Sequence, residues 1–121
     1  MTVRIAQVAI DAADPAALAD FWCQVLSWTV LEQEDGVVSI GPFDGGPGID
    51  LIPVPEAKTV KNRLHLDLRA DHSTQDVEVD RLLALGARPA DIGQGPDVSW
   101  VVLADPEGNE FCILSRSMQE I

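Results

Sequence analysis

VRIAQVAID (3–11), a mostly apolar run in which Arg4, Gln7 and Asp11 are the polar positions, reads as a strand. Asp14 then offers an N-cap and Pro15 a pre-set first helical residue. In the stretch that follows, Leu18, Phe21, Trp22, Val25 and Leu26 recur at helical spacing, one apolar stripe on a helix of about 14 residues. Phe21 and Trp22 are therefore expected in the core. Three short β-like runs come next, WTVLEQ (28–33), VVSIG (37–41) and GIDLIPV (48–54). They are separated by Asp35-Gly36 and by the turn PFDGGPG (42–48).

The pattern then restarts. In RLHLDLRA (63–70), Leu64, Leu66 and Leu68 alternate with Arg63, His65, Asp67 and Arg69, which predicts a strand with one apolar and one ionisable face. Ser73 or Thr74 can cap a helix that turns Val79, Leu82 and Leu83 inward and stops at Gly86. Strands are expected again in ARPADIG (87–93), SWVVLAD (99–105) and EFCILSR (110–116), with DPEGN (105–109) as the tight turn before the last. Asp105, Pro106, Gly108 and Asn109 are turn formers and need no chemistry.

Each half thus reads strand, helix, strand, strand, strand, an α+β duplication with module 1 at about 1–58 and module 2 at about 59–121. One such half cannot bury its own sheet, so the halves associate within the chain or between two chains, and a homodimer is expected.

Composition narrows the function. Twenty acidic residues against eight basic ones leave a net charge of −12. A field of that sign repels phosphate backbones and anionic lipid, so neither nucleic acid nor membrane is an expected partner. No apolar run approaches the roughly 20 residues of a membrane span, and MTVRIAQVAID lacks the plan of a signal peptide, so a cytoplasmic location is expected. Cys23 and Cys112 have no metal-type or redox-type spacing and are expected as thiols.

The opening helix DPAALADFWCQVL, the strand RLHLDL and above all the closing DPEGNEFCIL resemble the vicinal oxygen chelate superfamily, in particular its glyoxalase-like and bleomycin-resistance-like small domains. The resemblance covers essentially the whole chain. It implies two tandem βαβββ modules forming a half-open mixed β-barrel, helices packed outside, whose concave face holds a metal or a small ligand. In metal-dependent members the ligands come from the first and last strands of each module. Those places here look like Gln7, Ile52, His65 and Cys112. Only His65 keeps the usual ligand type, so no cofactor is expected and a divalent metal is a minor alternative. Asp50 and Glu110, two residues before Ile52 and Cys112, would supply carboxylates from the same strand face if the register differs.

On this reading Arg63, His65 and Asp67 face the concavity, although the same alternation also describes any half-exposed strand. His65 suits general acid or base work, with Asp67 or Glu110 to orient it, or else a hydrogen-bonded structural role. Arg63 offers a planar fork to a ligand anion, or pairs with a neighbouring carboxylate. Cys112 is a packing residue or a nucleophile, and Phe43 and Trp100 could stack on a flat ligand. The expected ligand-binding set is Gln7, Phe43, Ile52, Arg63, His65, Asp67, Trp100, Glu110 and Cys112, with His65, Asp67 and Glu110 as catalytic candidates.

The leading function is binding of a small organic molecule, without an intact metal site, for sequestration or resistance. The alternative is a glyoxalase-type lyase or isomerase using His65 and a nearby carboxylate. A structural dimer with a vestigial pocket is the third.

Overall fold

The computed structural model describes all of residues 1–121, in two compact units, Met1–Ala57 and Lys58–Ile121. The first unit runs β1 (Gln7–Ala12), α1 (Pro15–Leu26), β2 (Thr29–Glu34), β3 (Val37–Gly41) and β4 (Gly48–Pro53). The second runs β5 (Asp67–Leu68), α2 (Gln75–Leu85), β6 (Arg88–Pro89), β7 (Val101–Ala104) and β8 (Glu110–Ile113), then a 3-10 turn at Met118–Glu120. Each unit carries one four-stranded sheet, ordered β1-β4-β3-β2 and β5-β8-β7-β6. In both, the first strand pairs in parallel with the last, and the other pairings are antiparallel. No helix is long and apolar enough to cross a membrane.

In the first unit the predicted caps form. Asp14 accepts the Ala17 N–H, Pro15 opens α1, and Ser27 closes it in the left-handed conformation with its N–H on the Cys23 carbonyl. Leu18, Phe21, Trp22 and Val25 are buried, and α1 packs on β3 and β4, which contribute Val38, Ile40, Ile49 and Leu51. Phe21 and Trp22 meet edge to face, ring centroids 5.3 Å apart, an arrangement that adds about 0.5–1.5 kcal/mol to their burial. Gly48 starts β4 against β3 so closely that any Cβ would collide with the Ile40 carbonyl oxygen.

The second unit is less regular than its sequence pattern predicts. The strand expected over 63–70 is a ladder only at Asp67–Leu68. The register explains the loss of residues 63 and 64. Asp67 pairs with Cys112, so residue 65 is level with Glu110, where β8 begins, and anything earlier has no partner strand to run along. Leu64 is consequently 89% exposed rather than packed, while Leu66 and Leu68 are half-buried.

The strand expected over 87–93 shrinks to Arg88–Pro89, because Pro89 donates no ladder hydrogen bond and glycines follow at 93 and 95. On α2 only Leu82 is buried. Val79 is half-buried and Leu83, one residue further round the helix, is exposed. Thr74 caps the helix on the Val77 N–H, and Gly86 ends it at φ 117°.

The DPEGN turn is rigid because Asp105 is fully buried and its carboxylate accepts from the N–H groups of Glu107 and Asn109 and from the Asn109 side-chain amide. This turn sets where β8 starts. Replacing the carboxylate orphans several donors at once, so Asp105→Ala should lower unfolding free energy by roughly 2–4 kcal/mol. A urea melt showing less than about 1 kcal/mol of loss would mean that the turn does not hold β8 in place.

Candidate functional site

Chemistry-bearing side chains gather on the β5–β8 edge of the second unit. His65 Nδ1 lies 2.9 Å from Asp67 Oδ1, and both side chains are accessible, at 36% and 46%. An ionised Asp67 only accepts, so Nδ1 is the proton-bearing nitrogen in this pair and Nε2 is left for another partner. Cys112 sits opposite Asp67 in the ladder and is buried. One donor atom from each of His65, Asp67 and Cys112 lies within 4.8 Å of the other two.

Burial pushes the Cys112 thiol up, and the charge of Asp67 and a hydrogen bond to it push the same way, against a smaller pull from Lys61. The thiol therefore keeps its proton at neutral pH. Cys112 as found is a hydrogen-bonded thiol rather than a nucleophile. Cys23, the other free thiol, is raised by burial and by Asp20.

Glu110, the first residue of β8, is committed elsewhere. Its carboxylate takes the Lys58 ammonium at 2.9 Å and the Asn62 N–H at 3.2 Å, and Asn62 also bonds Asn109. Burial works against ionisation of Glu110. The Lys58 hydrogen bond, the backbone N–H groups of Asn62 and of Glu110 itself and the Lys58 charge outweigh it, and hold the carboxyl below its ordinary value. The segment 58–62, which leads into His65, is thereby tied to the start of β8. Sequence reasoning passed over Lys58, Lys61 and Asn62. A signal was present, since both lysines of the chain fall within four residues just ahead of His65.

In the first unit, Gln7 Nε2 donates to Asp50 Oδ2 at 3.1 Å. Gln7 pairs with Gly48 in the β1–β4 ladder, and Asp50 lies two residues further along β4. His65 is level with Glu110, and Cys112 lies two residues further along β8. In register, then, Asp50 rather than Ile52 holds in its unit the position that Cys112 holds in the other. Ile52 is half-buried on the same strand side as Asp50. Phe43 stands 88% exposed in the glycine-rich loop, Trp100 is exposed just before β7, and Arg63 is exposed two residues before His65.

The comparisons with known proteins agree with this architecture. The profile of the family described as glyoxalase-like domain matches residues 7–114. The chain belongs to that family. Among solved structures it is similar to a glyoxalase/bleomycin resistance protein/dioxygenase family enzyme from Burkholderia phytofirmans PsJN, with 22% identity over 92% of this chain and 97% of that one, TM-score 0.71. It is also similar to the fosfomycin resistance protein FosX from Listeria monocytogenes, with 13% identity over 99% and 95% of the two chains, TM-score 0.76. A third similar structure is the oxidase ChaP-H2, with 20% identity over 96% and 95%, TM-score 0.65. No curated protein matches. At these identities the structures establish the glyoxalase-like, vicinal oxygen chelate fold and leave the chemistry to the residues of this chain.

The Lys58–Glu110 tie carries a pH signature. Because the folded-state pKa of Glu110 is depressed, its contribution to stability is present above the unfolded value and is lost as pH falls through the folded one. Wild type should therefore be more stable than Glu110→Gln at pH 7, and the difference should shrink as pH falls below 4.5, the ordinary value of this group. A difference that stays constant from pH 7 to pH 3 would show that Glu110 holds the segment by shape alone.

Proposed function

We propose that this glyoxalase-like protein binds a small organic molecule against the His65–Asp67–Cys112 face of its second unit. The observation that carries the reading is the His65–Asp67 hydrogen bond at 2.9 Å on accessible side chains. It orients an imidazole and leaves Nε2 to meet a ligand's polar group. Arg63 supplies a cation for an anionic ligand group, and the exposed ring of Trp100 in the same unit is a further contact candidate. The net charge of −12 disfavours polyanionic partners and leaves small neutral, cationic or singly anionic compounds. Relatives support the ligand class: one FosX structure contains Mn(II) and sulfate, and another contains 1S,2S-dihydroxypropylphosphonic acid. A cytoplasmic homodimer is part of this proposal.

The manganese of those FosX structures does not fit the donors here. Manganese favours carboxylate, water and imidazole, whereas the cluster here sets a buried thiol, Cys112, beside His65 and Asp67. No step of the proposed function runs through manganese.

The same hydrogen bond favours a second reading, a lyase or isomerase acting on a carbonyl compound. Asp67 fixes the ring and stabilises the imidazolium that forms when Nε2 takes a proton from carbon next to the carbonyl. His65 then returns the proton elsewhere on the same molecule. Such a role requires turnover, and sequestration does not.

Ligand-observed NMR with metal-stripped protein against a library of aromatic natural products and small carbonyl compounds separates these outcomes. A binder should lose at least about tenfold in affinity in His65→Ala, the scale of one charge-assisted hydrogen bond. Binders that are unaffected by His65→Ala would overturn the placement of the site, and conversion of a binder during the experiment would favour the enzyme.

A further inference from the structure

We propose that the organic molecule taken by the His65 face is a hydroxy acid with a single carboxylate, and that Lys61 and Arg63 are the residues that select its charge. The inference deepens the ligand-binding reading and rests on it, and all the residues concerned lie in the second unit or at its start.

The charge argument begins in the sequence. Three of the eight Lys and Arg residues, Lys58, Lys61 and Arg63, fall in the segment leading to His65, and no acidic residue interrupts the run from Ala57 to Leu66. In a chain with twenty acidic residues a cation is easily paired, and Lys58 is paired with Glu110 at 2.9 Å. Lys61 and Arg63 form no ion pair. The Lys61 ammonium donates to the Asn62 carbonyl at 3.1 Å, and both side chains are exposed.

The backbone between these two cations is pinned. Asn62 donates its N–H to Glu110 at 3.2 Å and its side-chain amide to Asn109 at 3.2 Å, and Asn109 is bonded in turn to the buried Asp105. A pinned root lowers the ordering cost when an anion is taken up. The charge of Lys61 is also felt within the site: burial and Asp67 raise the Cys112 thiol, and Lys61 opposes them.

The net charge of −12 does not cancel this. Screening confines an exposed charge to about 8 Å at physiological ionic strength, so a small anion in contact with Lys61 and Arg63 responds to them before it responds to acids spread over the rest of the chain. A second anionic group at the His65 end would meet Asp67 instead, which limits the ligand to one.

The hydroxyl follows from the tautomer. With the proton of the neutral ring on Nδ1, facing Asp67, Nε2 is an acceptor and needs a donor from the ligand. A carboxylate placed there would set lone pair against lone pair. The carboxylate therefore goes to the cations and an O–H to Nε2.

The test measures affinities of metal-stripped full-length protein, by ligand-observed NMR, for mandelate, tropate and para-hydroxyphenylacetate, which place the hydroxyl progressively farther from the carboxylate. Each is run beside its primary amide and its deoxy acid. At least one of the acids should bind about tenfold or more tighter than its amide, and tighter than its deoxy acid. In the double variant Lys61→Met with Arg63→Met, both at exposed positions, the acid-over-amide ratio should fall close to unity with the affinity for the amide unchanged, and Lys61→Arg alone should keep the ratio. His65→Ala should remove the hydroxy-over-deoxy ratio and leave the acid-over-amide ratio. Amides binding as well as acids, an acid preference that survives in the double variant, or no binding of any of the three acids would each overturn the proposal. Those results leave the organic-ligand reading standing wherever other binders weaken in His65→Ala. A hydroxy-over-deoxy ratio untouched by His65→Ala would remove that reading, and this proposal with it.

Discussion

The parallel pairing of β5 with β8 is the constraint on which the candidate site depends. Two ladder hydrogen bonds, from the Cys112 N–H to the Leu66 carbonyl and from the Leu114 N–H to the Leu68 carbonyl, fix Asp67 beside Cys112. His65 joins the same surface through its Nδ1, 2.9 Å from Asp67 Oδ1. The buried Asp105 decides where β8 begins, and Glu110 draws the segment before His65 against that beginning through Lys58 and Asn62. A short ladder, one turn and one ion pair together hold three donors within reach of each other.

The first unit repeats the topology with different chemistry. Its parallel β1–β4 pair carries Gln7 and Asp50 where the second unit carries His65 and Cys112. An amide donating to a carboxylate is a satisfied pair, and it includes neither an imidazole nor a thiol. The duplication is thus one of backbone topology, and the two edges have separate chemical capacities. The core is asymmetric as well: α1 buries a wide stripe including Phe21 and Trp22, whereas α2 buries Leu82 alone.

Much of this was legible in the sequence, for identifiable reasons. The α1 stripe, its Asp14-Pro15 start, the VVSIG strand and the DPEGN turn are local signals, and local physics decided them. The extent of β5 was not legible, because alternation in RLHLDLRA describes what a strand could do, while ladder length depends on where β8 begins, 45 residues away in the paired register. For the same reason Ile52 was singled out ahead of Asp50, a two-residue question that only the register answers. Glu110 looked like a catalytic carboxylate because its position on the strand is right. Its actual partner, Lys58, lies in a stretch with no periodic signal.

The account rests on His65 being held by Asp67 through Nδ1, and nitrogen-15 NMR of the imidazole ring reads that directly. Metal-free wild type should show the proton on Nδ1, with a ring tautomer that shifts toward Nε2–H in Asp67→Asn. A ring that is predominantly Nε2–H in wild type, and unchanged by Asp67→Asn, would make His65 an ordinary surface histidine and dissolve the site built around it.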